Sequence, residues 1–147
     1  MQIQRILVPC DFSDSARAAF ELARDLARRL GARLILAHAF FVPLDLEALS
    51  VVGVQPVFDR VEKEGAERLQ ALQQEAEAAG LACEVDARRG VPEEVILDVA
   101  AERHADLIVM GTTGRTGLAH WMLGSRAERV LRTAGCPVIT VPRPRTA

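Results

Sequence analysis

The chain has 147 residues, half of them hydrophobic and about a quarter charged, which suits one globular domain with a full core. Its net charge of −2 offers no basic face and argues against nucleic acid as a main partner. No apolar run approaches the ~20 residues of a membrane helix, and Met1 to Ile6 lack signal-peptide anatomy, so a cytoplasmic location is expected.

Ile3 to Pro9 reads as a strand whose centre, Ile6-Leu7-Val8, is continuously apolar, the pattern of a parallel strand buried on both faces. Asp11-Phe12-Ser13-Asp14 turns the chain and offers N-caps. The helix that follows places Ala16, Ala19, Phe20, Ala23, Leu26, Ala27 and Leu30 on one face and stops at Gly31. Arg33 to Ala39 is the second strand. Phe40 to Pro56 has no clear period and is long for a connection, so it is expected to fold over something. A long helix from Val57 to Ala79 turns Phe58, Val61, Leu69, Leu72, Ala76 and Ala79 inward. Ala82 to Ala87 is a shorter, more polar third strand, as expected at a sheet edge. Pro92, Glu93 and Glu94 open a third helix that runs to about His104. Ala105 to Met110 is the fourth strand, a fourth helix runs from about Gly124-Ser125 to Gly135, and Val138 to Val141 is the fifth strand. The tail, 143–147, is rich in Pro and Arg and is expected to be mobile.

This alternation predicts an open, parallel, five-stranded α/β sheet with helices on both faces and no linker or repeat. In such folds ligands bind outside the carboxyl ends of strands where the strand order reverses. Between the fourth strand and helix lies Gly111-Thr112-Thr113-Gly114, nine residues, then Gly124-Ser125. A strand, a glycine-rich loop and a helix N-terminus together suit phosphate, because glycines permit close approach and the helix start offers free N–H groups. The same residues also suit a plain connection closed by a serine N-cap. The only lysine, Lys63, lies in a helix, so a P-loop is excluded. The dinucleotide fingerprint Gly-x-Gly-x-x-Gly is missing too. A response-regulator receiver is rejected, because Thr140-Val141-Pro142 closes the last strand without its lysine.

Gly-x2-Gly-x9-Gly-Ser after the fourth strand resembles the nucleotide-binding motif of the universal stress protein family. Ile6-Leu7-Val8-Pro9-Cys10-Asp11-Phe12-Ser13, Leu36-Ala37-His38-Ala39, Ile108-Val109-Met110-Gly111 and Cys136 to Pro142 resemble that family's other segments over nearly the whole chain. The resemblance implies strand order 3-2-1-4-5, a domain over residues 1–142, and a homodimer that meets through the last strand, Val138 to Val141. It also implies an ATP binder. Asp11 would meet the ribose and Ala39 the adenine through its backbone, with Met110 and Gly111 lining the nucleoside. Gly114, Gly124, Ser125 and the Arg126 N–H would hold phosphates, and Pro9 would shape the pocket floor. ATP is the expected ligand, with AMP or ADP as alternatives and Mg²⁺ held mainly through phosphates and water.

Other readings stay open. Asp11 also suits a turn and Ser125 a cap. Arg115 and His120 are placed to reach phosphate but also suit a solvated surface, and Trp121 suits an anchor for the loop. His38 reads as a hydrogen-bonded core residue and His104 as a charge near a helix end. Cys10, Cys83 and Cys136 lack metal or disulfide spacing and read as buried thiols, with a redox role for Cys10 as the alternative. No nucleophile–base pair is visible, so at most slow ATP hydrolysis is expected. Two rivals remain: a slow ATPase or nucleotide-dependent transferase, and a dimeric interaction module that needs no nucleotide.

Overall fold

A computed structural model of the chain describes residues 1–41, 55–113 and 123–145. Five parallel strands form one sheet in the order β3-β2-β1-β4-β5. In chain order the elements are β1 (Arg5–Pro9), α1 (Asp14–Leu30), β2 (Arg33–Phe40), α2 (Gln55–Ala78), β3 (Cys83–Arg89), α3 (Pro92–Glu102), β4 (Leu107–Gly111), α4 (Ser125–Thr133) and β5 (Val138–Val141). β1 lies between β2 and β4, with Leu7 opposite Ile35 and Ile108. The strand order therefore reverses beside β1, and the carboxyl ends of β1 and β4 are neighbours. Among the described residues no helix is long and apolar enough to cross a membrane.

The apolar runs in the strands bury both faces. Ile6, Val8, Leu34, Leu36, Leu107 and Val109 pack under α1 and α2. Their alternating neighbours Leu7, Ile35, Ala37, Ile108 and Met110 pack under α3 and α4. Period-two alternation thus serves two cores at once.

α1 begins at its Ser13 cap, whose hydroxyl accepts from the Ala16 N–H, and ends at Gly31 in the left-handed conformation (φ 67°). Leu30, expected inside, is 49% exposed, because the chain turns away from the sheet at the glycine that follows it. α2 starts two residues earlier than expected. Pro56 stands in its first turn, where no N–H partner is lost. Val61 was expected to face inward and is instead exposed. The contact stripe of α2 runs through Phe58, Glu62, Gly65, Leu69, Leu72 and Ala76, at spacings of three and four that pass Val61 by.

The two edges of the sheet differ. Along β3, Glu84 pairs with Arg33 (3.2 Å) and Arg103 (3.4 Å), and Asp86 pairs with Arg88 (2.7 Å) and Arg103 (3.2 Å). Arg88 reaches on to Glu102 at 3.0 Å. The Arg88 guanidinium holds the Asp86 carboxyl below the usual carboxylate range. β5 reads Val138-Ile139-Thr140-Val141 and carries no charge, with Ile139 36% exposed.

Candidate functional site

The turn after β1 is built around Asp11. Its carboxylate accepts from the Ser13 N–H at 2.9 Å and from the Ser13 hydroxyl at 2.5 Å. Phe12 between them takes a left-handed backbone (φ 64°), a strained conformation for an aromatic residue that tertiary contacts must hold. Those contacts are visible. The Phe12 ring lies 4.7 Å from His38 and beneath the Arg68 guanidinium at 4.4 Å. His38 is fixed in turn by the Cys10 carbonyl, 2.6 Å from Nδ1. A carbonyl only accepts, so Nδ1 carries the proton. The His38 ring stands edge-on to Phe40 at 4.8 Å, and Gly65 of α2 closes over both, since a Cβ there would fall 2.7 Å from Phe40 Cε1.

A second link ties this turn to the end of β4. Ser15 in the first turn of α1 is buried (1% exposed) and donates its hydroxyl to the Thr113 carbonyl. Gly111 packs directly on the start of α1. A Cβ there would sit 2.8 Å from the Ser15 carbonyl carbon and 2.9 Å from the Ala16 nitrogen. Thr112 donates to the Val141 carbonyl at 2.9 Å and accepts from the Gly124 N–H at 2.8 Å. The two ends of the glycine-rich segment therefore meet at the foot of α4.

α4 itself corrects one expectation. Gly124, not Ser125, is the N-cap: it is extended (ψ 149°), its carbonyl accepts from the Glu128 N–H, and no side chain caps the helix. Ser125 is the first helical residue. Among the described residues the opening turn therefore presents backbone N–H groups and the positive end of the helix dipole without a side-chain partner. Arg126 follows. Its Nε lies 3.9 Å from Glu93 at the start of α3, and its guanidinium is 5.9 Å above the Phe41 ring at the end of β2.

Of the residues singled out by sequence, Pro9 ends β1, Asp11 follows it, Ala39 lies in β2, and Met110 and Gly111 end β4. Gly124, Ser125 and Arg126 open α4. All lie at the carboxyl edge of the sheet, beside the point where the strand order reverses, the place where ligands bind in such folds. Gly114, Arg115, His120 and Trp121 lie outside the described residues, as does most of the Phe40–Pro56 connection. Sequence reading missed Ser15, Gly65 and the left-handed Phe12. A serine inside a helix pattern and a glycine in mid-helix were the available signals. Neither points to its partner, which is distant in sequence.

The cysteines are poor redox candidates. Cys10 is buried, donates to the Val8 carbonyl at 3.3 Å, and has its thiol pushed far up by burial. Burial pushes Cys83 up to about 12. Thiolate is the reactive form, and both groups stay protonated near neutrality. Among the described residues no three His, Cys, Asp or Glu side chains gather as metal ligands. A groove of about 590 Å³ bordered by Arg5, Arg28, Gly31, Arg33 and Gly80 lies at the amino ends of the strands, away from the carboxyl edge.

The family model described as the universal stress protein family matches residues 2–142. The chain is 35% identical over 146 residues to universal stress protein MJ0531 of Methanocaldococcus jannaschii, covering 97% of this chain and 84% of that protein. The solved structure of MJ0577 from the same organism superposes with a TM-score of 0.87 at 25% identity, covering 99% of this chain and 100% of that one. A universal stress protein solved in complex with cAMP superposes with a TM-score of 0.71 at 27% identity, covering 98% and 100%.

Proposed function

Because the chain belongs to the universal stress protein family, we propose that it binds ATP at the carboxyl edge of the sheet. On this reading it acts as a cytoplasmic regulatory or protective factor in the stress response. The observation that carries the reading is the start of α4, with its glycine cap, its N–H groups that have no side-chain partner among the described residues, and its link back to β4. A helix start of this kind receives phosphate readily. The relative in complex with cAMP supports an adenine nucleotide as the ligand class.

The donor set fits. Asp11 would accept from the ribose hydroxyls, and the Ala39 backbone would meet the adenine over a floor shaped by Pro9. Met110 and Gly111 would line the nucleoside. Gly114, Gly124, Ser125 and the Arg126 N–H would hold phosphate oxygens, for which amide donors are suited. AMP and ADP would use the same nucleoside positions. Mg²⁺ would be held through phosphates and water. The domain is taken as residues 1–142, followed by a tail whose Arg143 pairs with Asp14 at 2.8 Å.

The test is to heat-denature purified protein, identify released small molecules by mass spectrometry, and titrate the stripped protein with ATP by calorimetry. Released or bound ATP is expected. Gly114→Val is expected to lower affinity at least about tenfold, ~1.4 kcal/mol, with the unfolding midpoint unchanged. Wild-type protein that yields neither nucleotide nor heat overturns the reading, and multiple turnover on a timescale of minutes or faster redirects it to an ATPase.

The same reading includes a homodimer through β5. Its uncharged edge and the half-exposed Ile139 support it, since an uncovered apolar edge invites pairing. Light scattering at micromolar concentration is expected to give twice the chain mass. A monomeric mass counts against the dimer.

A further inference from the structure

The Arg126 side chain has a geometry that the phosphate role of its N–H does not explain. It leaves the first turn of α4 and reaches back to Phe41, at the end of β2, where its guanidinium lies 5.9 Å over the ring. This path runs from the helix start toward the residue that follows β2, the strand that carries Ala39. On the way Nε passes 3.9 Å from Glu93 Oε2, and Arg129 one turn later lies 3.9 Å from Glu93 Oε1. These separations exceed hydrogen-bond length. Among the described residues the Arg126 guanidinium makes no hydrogen bond, and Glu93 Oε2 is buried with no hydrogen-bond partner. The cation is thus held near a carboxylate and a ring while its five N–H donors stay uncommitted. It remains 54% exposed.

We propose that the Arg126 guanidinium is the group by which this site counts phosphates, swinging from Glu93 and Phe41 onto the outer phosphates of a nucleoside triphosphate. The proposal rests on the nucleotide reading above and deepens it. Glu93 is the counter-charge that parks the arginine when the outer phosphate positions are empty. Guanidinium–phosphate contacts are charge-assisted and two-pronged, whereas the parked guanidinium is half in solvent and lies beyond hydrogen-bond reach of the Glu93 carboxylate. A monophosphate reaches the α4 amides but leaves Arg126 parked. A triphosphate brings negative charge beyond those amides and draws the guanidinium over.

The experiment is calorimetric titration of the stripped protein with ATP and with AMP, for wild type, Arg126→Ala and Glu93→Gln, at low and physiological salt. Arg126→Ala is expected to weaken ATP about tenfold and AMP less than about twofold. Glu93→Gln is expected to strengthen ATP a few-fold, because the cation is no longer held back, and both effects should shrink as salt rises. Far-UV circular dichroism and unfolding midpoints check that the variants fold. Equal effects of Arg126→Ala on ATP and AMP, or none on either, overturn the proposal while leaving the nucleotide reading in place. Wild-type protein that binds neither nucleotide removes both.

Discussion

Gly111→Ala is expected to destabilise the protein by about 2–6 kcal/mol. The reason is space, not backbone conformation. The new Cβ would fall well inside contact distance of Ser15 Oγ, 2.8 Å from the Ser15 carbonyl carbon and 2.9 Å from the Ala16 nitrogen. Two of these three atoms are backbone at the start of α1, which cannot rotate away. Overpacking of this kind costs ~1–3 kcal/mol. Pushing α1 off β4 also strains the buried bond from Ser15 to the Thr113 carbonyl, and an unsatisfied buried hydroxyl costs another ~1–3 kcal/mol. Gly31→Ala is the control. Gly31 has a left-handed backbone but nothing within 4 Å of the added carbon, so only the conformational cost of ~1–2 kcal/mol applies. Urea unfolding of the two variants decides the matter. A Gly111→Ala loss no larger than that of Gly31→Ala would falsify the packing argument.

The second large effect is expected at Phe20. It is the bulkiest fully buried side chain among the described residues, and it sits in the middle of α1 facing the sheet. Arg17 and Arg24 lie over its ring at 5.3 and 5.4 Å. Both arginines converge on Glu75 of α2, Arg17 Nη1 at 2.7 Å and Arg24 Nη1 at 2.6 Å. The Arg17 hydrogen bond holds the Glu75 carboxyl below its ordinary range. The ring therefore fills the core beneath α1 and supports the ion cluster that joins α1 to α2. Phe20→Ala is expected to cost about 3–5 kcal/mol, a cavity effect. Phe20→Leu, which keeps most of the volume, is expected to cost ~1.5 kcal/mol or less. Chemical denaturation measures both, and an alanine variant within 2 kcal/mol of wild type would show that the core collapses around the gap.

Much of the fold was readable because burial on two faces leaves a plain mark. Ile6-Leu7-Val8, Leu34-Ile35-Leu36 and Leu107-Ile108-Val109 are apolar at every position, and each became a central strand. Gly31 and Pro92 marked helix ends through local backbone chemistry. The side-by-side placement of β1 and β4 came only from family resemblance, since no local signal encodes which strands pair. The finer structure of the site was hidden for the same reason. Gly111 looked like a loop glycine, yet its lack of a side chain serves α1, nearly a hundred residues earlier in the chain. Phe12 looked like part of an ordinary turn, and its left-handed backbone is explained only by His38 and Arg68 around its ring. The hydrogen bond of His38 was legible from its place on an apolar strand, but the residue is only half-buried and β2 runs on to Phe40. Val61 was misplaced because its stretch of α2 offered two apolar stripes, and only contact with the sheet chooses between them.

The unequal edges of the sheet also bear on which edge a further strand could join. Pairing two copies through β5 about a two-fold axis would consume the uncharged edge of each. The enlarged sheet would then end in β3 on both sides, where Glu84, Asp86 and Arg88 are tied to Arg33, Glu102 and Arg103. A third strand of this kind would have to dock beside a row of paired charges, which edge strands use to repel unwanted partners. In such a pair growth would be self-limiting: the edge that invites a partner would be used up by the first one, and the charged edge left over would discourage further pairing.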